Sequence, residues 1–114
     1  MVKNIIRFLL LGVILIVSGY SNAAGGLGSN VITKMAFQSN HVFIYSAGWN
    51  NANTCDRAVA VVLQKNDQNF DKAYALLLAA FMSGKAVSGY SDNCIEWDGK
   101  TYNTIRGFKY LSVE

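Results

Sequence analysis

Histidine, cysteine and proline are scarce in this sequence, and their scarcity limits its chemistry. The 114 residues include one histidine, two cysteines and no proline. One imidazole cannot build a site that needs two. Two cysteines cannot supply a zinc site of four cysteines, or of three cysteines and one histidine. The chain is 52% apolar, which is too apolar for a disordered protein, and its length fits one domain.

The first 23 residues have the pattern of an export signal. Lys3 and Arg7 give a basic start, and an apolar run of about ten residues follows from Phe8 to Val17. Small residues lead to Ala23, after which cleavage is expected. The run is shorter than the roughly 20 residues of a spanning helix. We therefore expect a signal peptide at residues 1–23, a secreted or periplasmic protein, and no stable membrane anchor after cleavage. A retained N-terminal anchor is the alternative.

Removing the signal changes the charge argument. The full chain carries ten basic and seven acidic residues, a net charge of +3. Without Lys3 and Arg7 the net charge falls to +1, and the remaining basic residues are scattered from Lys34 to Lys109. Nucleic-acid binding needs a clustered basic surface, so we expect no nucleic-acid partner.

The two cysteines, Cys55 and Cys94, are expected to form a disulfide. An exported domain meets an oxidising environment, and these residues allow one intramolecular pairing. Such a bond would close a loop of about 40 residues and stabilise the fold by about 4 kcal/mol in the chain-entropy description. Two free thiols or an intermolecular bridge are the alternatives.

The hydropathy pattern predicts strands on both sides of one helix. Residues 24–29 are mostly small and predict a flexible leader before a single domain at residues 30–114. Alternating or β-branched runs predict strands at residues 30–38, 41–46, 57–63, 85–90 and 104–113. Residues 95–97 and 100–102 flank Asp98-Gly99, a strong turn signal, and predict a small hairpin.

The clearest helix runs from Asn69, a candidate N-cap, to Ser83, with Gly84 suited to end it. Its apolar stripe is Tyr74, Leu77, Leu78 and Phe81, and alanines extend the stripe around the helix. Little of this helix can face water. It is expected to pack in a core under a curled sheet or, alternatively, against another subunit.

This order of elements predicts an α+β, mostly β fold. Five strands with one helix between strands 3 and 4 is the order of a small OB-like barrel. A plain sandwich of one helix on an antiparallel sheet is the alternative. The sequence has no internal repeats.

No catalytic constellation is evident. His41 begins an apolar strand with no acidic neighbour in sequence, so it lacks a partner for base chemistry. Asp92, Glu96 and Asp98 match no calcium loop. No glycine-rich phosphate loop precedes a helix. We therefore expect no enzyme activity, no metal and no cofactor. A small hydrolase would need these three carboxylates to converge.

A binding site is predicted where the disulfide would join two loops. Aromatic rings beside amides and carboxylates are typical of sugar recognition, since a few polar groups surround an apolar platform. Alternatively, the two tryptophans fill the ends of the core. The candidate ligand-binding residues are Trp49, Asn50, Asn51, Asn53, Tyr90, Asp92 and Trp97.

The segments Lys72 to Phe81 (KAYALLLAAF) and Ser83 to Val87 (SGKAV) resemble the helix and following strand of B-subunits of subtilase-cytotoxin- and pertussis-type AB5 toxins. They also resemble small secreted bacterial proteins with one cysteine pair. The toxin resemblance implies an OB-fold, a pentameric ring with the helix near the pore, and binding of host glycans. This chain is shorter than such subunits, and none of their sugar-binding residues can be placed in it.

The function expected from the sequence is binding without catalysis. The chain is predicted to be an exported binding module for a glycan or protein ligand, as a monomer or homo-oligomer. The alternative is a periplasmic protein-interaction or immunity-type partner that blocks an effector.

Overall fold

A computed structural model describes residues 24–107 and 110–114, so the predicted signal peptide at residues 1–23 lies outside the described residues. The described chain contains eight strands and one helix, α1. In chain order these are β1 (Gly25–Val31), β2 (Lys34–Gln38), β3 (His41–Tyr45), β4 (Arg57–Leu63), α1 (Phe70–Ser83), β5 (Ala86–Ser91), β6 (Cys94–Trp97), β7 (Lys100–Thr104) and β8 (Ser112–Val113).

The strands form two sheets, and no closed barrel is found among the described residues. The smaller sheet has the order β1-β5-β8, and the larger has the order β2-β3-β4-β7-β6. The α+β, mostly β class is confirmed. The five-stranded OB-like barrel is not, because the strands number eight and divide between two sheets. Neighbouring strands are antiparallel except for β4 and β7, which run parallel.

The first predicted strand, residues 30–38, is divided between the sheets. Val31 ends β1, which pairs with β5, whereas Lys34 begins β2, which pairs with β3. Between them Ile32 is buried, and the backbone N–H of Thr33 donates to Tyr45 O at 2.9 Å. Burial of Ile32 at this corner turns the chain from one sheet to the other.

The prediction of a flexible leader at residues 24–29 is wrong. Most of that segment belongs to β1, and Leu27 is completely buried in the core. The register of β1 against β5 shifts between Gly26 and Ser29, and Gly28 adopts a positive φ of 82°. A glycine adopts this conformation without steric penalty, so the strand bulges there while Leu27 anchors it.

The helix prediction is confirmed in its position and its end. Gly84 adopts a left-handed φ of 72°, and its N–H donates to Ala80 O, as a C-terminal glycine typically does. The start differs, because Asn69 makes no side-chain cap hydrogen bond. Instead, the carboxylate of Asp67 accepts from Asn69 N at 2.9 Å. The fully buried face is Ala73, Leu77 and Ala80.

The core lies between the sheets and α1. One cluster joins residues from both sheets and the helix, including Leu27, Ile44, Leu63 and Leu77. A smaller cluster, Phe43, Ala60 and Val62, lies on the opposite face of the larger sheet. We call that face the outer face. The alternation of Val42, Phe43 and Ile44 between these clusters follows from the two-residue period of a strand.

Most of the described residues of the predicted last strand, 104–107 and 110–113, are not in a strand. Thr104 ends β7, and among these described residues only Ser112 and Val113 pair with β5. Past β7, Ile105 N donates to Val62 O at 2.9 Å and Gly107 N donates to the Asp67 carboxylate at 2.8 Å. The first bond continues the contact with β4, and the second bond ties the chain to the residues just before α1.

The predicted disulfide is confirmed. Cys55 and Cys94 are bonded across a Cα–Cα distance of 5.9 Å. The bond links the loop before β4 to the first residue of β6. The predicted hairpin around Asp98 and Gly99 is also confirmed, since β6 and β7 pair antiparallel.

Candidate functional site

The two tryptophans predicted to form one site lie on opposite faces of the larger sheet. Trp49 is buried in the main core, and its indole Nε1–H donates to Ile44 O at 3.1 Å. Trp97 packs on the outer face, edge-on to Phe43 with ring centroids 5.8 Å apart. Trp49 therefore offers no platform to a ligand, and the two rings cannot share one.

Two predicted asparagines, Asn51 and Asn53, belong to a polar network beside the disulfide that is centred on the buried Asn103. The carboxamide Oδ1 of Asn51 accepts from Cys55 N at 2.7 Å and from Asn103 Nδ2 at 2.8 Å. Asn53 donates through Nδ2 to Ser91 Oγ at 2.7 Å and to Asn103 Oδ1 at 3.0 Å. These amides hold the loop before β4 to β7 and to the end of β5. Both groups of the Asn51 carboxamide and the Nδ2 of Asn53 are occupied with internal partners. The Oδ1 of Asn53 is buried without a hydrogen-bond partner, so it is also poorly placed to bind a ligand.

The remaining predicted residues are Asn50, Tyr90 and Asp92. Asn50 is exposed, and its backbone N–H donates to Leu27 O at 3.0 Å. Tyr90 and Asp92, however, meet at a residue that the sequence did not single out. Arg106 lies with its guanidinium carbon 4.2 Å from the centroid of the Tyr90 ring, and its Nη1 donates to Asp92 Oδ1 at 2.7 Å.

Arg106 forms one wall of a pocket of about 210 Å³. Three segments meet there: the turn between β4 and α1, the turn between β5 and β6, and the chain just past β7. We call it the polar pocket. Its lining residues are Gln64, Asn66, Asp67, Gln68, Asp92, Asn93, Thr104, Ile105 and Arg106.

The frame of the polar pocket is held by hydrogen bonds to charged and polar side chains. Asp67 accepts from Asn69 N and from Gly107 N, so it ties the start of α1 to the segment past β7. Thr104 Oγ1 lies 3.1 Å from Asn93 O, which connects the end of β7 to the turn after β5. Arg106 N also donates to Tyr90 O at 3.1 Å. The walls are therefore preorganised by bonds between distant segments.

The turn between β4 and α1 contributes three amide side chains to the polar pocket that have no hydrogen-bond partner in the described part of the chain. Within the described residues, the side chains of Gln64, Asn66 and Gln68 make no hydrogen bond, and Asn66 and Gln68 are exposed. Each amide can donate and accept. Opposite them lie the half-exposed carboxylate of Asp92 and the largely covered guanidinium of Arg106, whose side chains are 42% and 18% exposed.

Sequence reasoning missed most of this site for identifiable reasons. The run Gln64 to Gln68 lies between the predicted strand at residues 57–63 and the predicted helix, and its density of amide side chains is a usable signal for a polar site. Arg106 was placed in a long last strand, and nothing in its neighbourhood in sequence indicates that it meets Tyr90 and Asp92.

The described residues hold no group of three or more His, Cys, Asp or Glu side chains that could bind a metal ion. In the same part of the chain, no helix is long and apolar enough to cross a membrane. No family model, curated protein or solved structure matches this chain.

Proposed function

We propose that this protein is an exported, non-catalytic binding module that holds a glycan in the polar pocket. The observation that carries the proposal is the set of three amide side chains, Gln64, Asn66 and Gln68, that line the pocket without internal hydrogen bonds. Sugar hydroxyls both donate and accept, and amides match them in both roles. The resemblance of residues 72–87 to toxin B-subunits also favours a glycan.

The charged wall of the polar pocket would fix the orientation of the sugar. Asp92 accepts hydrogen bonds from hydroxyls, and a carboxylate acceptor forms stronger hydrogen bonds than a neutral one. Arg106 donates from the same wall and is held by both Asp92 and Tyr90. A preorganised donor loses little conformational entropy when a ligand binds.

The size of the polar pocket limits the ligand. Its volume of about 210 Å³ is below the range of roughly 300–1,000 Å³ typical of pockets for drug-sized ligands. It would take one sugar ring, at the end or edge of a glycan, while the rest of the chain remains in solvent. Weak binding to a single site follows from so small a contact.

The one imidazole lies outside the polar pocket, which is in keeping with a role without catalysis. His41 Nδ1 accepts a hydrogen bond from Lys65 N at 3.0 Å, next to the turn between β2 and β3. Thr104 is the one hydroxyl of the pocket lining, and its Oγ1 is engaged with Asn93.

A glycan array followed by NMR titration of the mature protein tests this proposal. Asn66→Ala removes an amide from the polar pocket, and Asn50→Ala removes an exposed amide of the site first predicted from the sequence. We expect Asn66→Ala to weaken binding about fivefold to tenfold, from the loss of one hydrogen bond, and Asn50→Ala to leave it unchanged. Absence of any glycan ligand, or the reverse pattern, would contradict the proposal.

A second candidate is a protein partner, as an immunity-type protein requires. The outer face of the larger sheet favours it, because Tyr45, Trp97 and Tyr102 lie half-buried there around Phe43. Aromatic residues are enriched in protein interfaces. A stoichiometric complex with one periplasmic protein, lost in Trp97→Ala but retained in Asn66→Ala, would support this function over glycan binding.

Export is part of the proposal, and the disulfide supports it, since such bonds persist in oxidising compartments. Mass spectrometry of protein from the periplasm or medium should give Ala24 as the first residue. A product that begins at Met1 would contradict it.

A further inference from the structure

Strand β2 lies at one edge of the larger sheet. Among the described residues its one neighbour in the sheet is β3. An edge strand presents backbone N–H and C=O groups that can pair with another strand. The sequence of β2 is short and carries one charge: Lys34, Met35, Ala36, Phe37 and Gln38.

The hairpin with β3 determines which backbone groups of β2 point outward. Gln38 pairs with His41 across a two-residue turn, Ser39-Asn40, whose φ values are both positive. Such a turn closes on a hydrogen-bonded pair. Because hydrogen-bonded pairs alternate along antiparallel strands, Lys34, Ala36 and Gln38 bond towards β3. The N–H and C=O groups of Met35 and Phe37 therefore face outward.

The same strand borders an apolar groove against α1. Met35, Phe37, Tyr74, Leu78 and Phe81 contribute to a groove of about 190 Å³. Phe37 is 58% exposed although its ring centroid lies 5.5 Å from that of Tyr74. At the end of α1, Phe81 and Met82 are also exposed. Exposed apolar side chains therefore lie beside backbone groups of β2 that have no strand partner among the described residues.

We propose that β2 pairs antiparallel with β2 of a second copy of this chain, about a two-fold axis at Ala36. In this register Met35 of one copy faces Phe37 of the other, and both are residues with outward backbone groups. Each such pair can exchange two hydrogen bonds. Ala36 then faces the partner's Ala36 in a pair without hydrogen bonds, where side chains approach most closely. A register centred on Met35 or Phe37 would leave part of the strand unpaired.

Charge and side-chain size favour this arrangement. Lys34 faces the partner's Gln38, so the one charged residue of β2 meets an uncharged amide rather than another lysine. The residues that line the groove are uncharged. Alanine, the smallest residue of β2, stands where the two strands come closest. On the side of α1, Phe37 and Met35 from the two copies would meet and cover each other, which removes exposed apolar surface from water.

A cysteine cross-link tests the register. Across a non-hydrogen-bonded antiparallel pair the Cα atoms are about 4.5 Å apart, within the range of about 4.4–6.8 Å that disulfides span. We expect Ala36→Cys to form a covalent dimer under mild oxidation, with the native Cys55–Cys94 bond intact by peptide mapping. Gln38→Cys is the matched control on the same strand and should remain largely uncross-linked, because it faces the partner's Lys34.

Analytical ultracentrifugation of substituted proteins measures the dimer affinity without a cross-link. Gln38→Glu would face Lys34 and should tighten the dimer about twofold to fivefold, whereas Gln38→Lys should weaken it by a similar factor. Phe37→Lys should dissociate the dimer at micromolar concentrations. Val31→Lys introduces the same charge at an exposed apolar strand residue outside the groove and should leave the dimer intact.

Several outcomes would overturn the proposal, which does not depend on the glycan. A monomer up to millimolar concentration, a ring of higher order, or a dimer unaffected by Phe37→Lys would each contradict it. Hydrogen exchange that protects Met35 and Phe37 only when another protein is added would assign the edge to that protein instead. A dimer that binds no glycan would support the strand pairing without the proposed function. A monomer that binds a glycan would support the proposed function without the strand pairing.

Discussion

Asn103 accepts a hydrogen bond at Oδ1 from the backbone N–H of Asn53, 3.0 Å away and fifty residues earlier in the chain. Asn103 is completely buried, and its Nδ2 donates to Asn51 at 2.8 Å. The Sγ of Cys55 lies 3.2 Å from the same Oδ1. One carboxamide therefore fixes the loop before β4 to β7, and the disulfide fastens the same junction covalently.

Asn103→Asp should destabilise the fold by about 2–4 kcal/mol. The new carboxylate cannot donate to Asn51, and a buried charge without a counter-ion is costly. Asn50→Asp makes the same change at an exposed residue and should shift stability by less than about 0.5 kcal/mol. Urea unfolding followed by tryptophan fluorescence measures both. Equal stability of the two variants would contradict the role assigned to Asn103.

Removal of the disulfide should lower stability by about 4 kcal/mol, the chain-entropy value for a loop of this size. The double substitution Cys55→Ala with Cys94→Ala removes a crosslink between residues 39 apart. Reduction of the unmodified protein with dithiothreitol should give a similar loss in calorimetry. A midpoint unchanged by both treatments would show that the loop is held by the asparagine network alone.

Gly107→Ala should destabilise the protein by about 1–3 kcal/mol through overpacking. An added Cβ would lie 2.5 Å from the Cβ of Ala73 in α1 and 3.2 Å from Asp67 Oδ1. The matched control is Gly26→Ala in β1, where nothing lies within 4 Å of an added Cβ. That variant should keep wild-type stability within about 1 kcal/mol. Thermal unfolding by circular dichroism distinguishes them.

Trp49→Phe should reduce stability by about 1–3 kcal/mol without changing ligand binding. The substitution removes the indole donor to Ile44 O and leaves unfilled volume in the core. Trp97→Phe, on the half-buried outer face, should lower stability less. Unfolding curves and glycan titrations on both variants check this. Loss of binding in Trp49→Phe at wild-type stability would restore the site first predicted from the sequence.

Local patterns in the sequence were informative where the deciding contacts are local. The period of apolar residues located α1, Gly84 marked its end, and Asp98-Gly99 marked the hairpin of β6 and β7. The disulfide followed from counting, because a chain with two cysteines has one possible intramolecular pairing. The helix and the hairpin depend on residues close together in the chain, and the disulfide depends on a cysteine pairing that has no intramolecular alternative.

The features that the sequence missed depend on long-range partners. Residues 30–38 alternate like one strand, and only the separate pairing with β5 and β3 divides them. The small residues before Asn30 have weak strand propensity, yet burial of Leu27 orders them. The structure does not bring the two tryptophans of the predicted site together, for the same reason. Trp49 and Trp97 face away from each other across a sheet, and the order of strands in that sheet is not encoded locally.

The parallel pairing of β4 with β7 has a consequence for how this chain reaches its native state. Every other pairing in the larger sheet is antiparallel and joins strands close in sequence, whereas β4 and β7 are separated by α1, β5 and β6. Closure of so long a segment is slow. Cys55 precedes β4 and Cys94 begins β6, so the disulfide closes most of the same segment. If the disulfide forms before β4 and β7 pair, the remaining loop closure between these two strands is shorter. Refolding of the reduced protein is then expected to accelerate with the supply of oxidant.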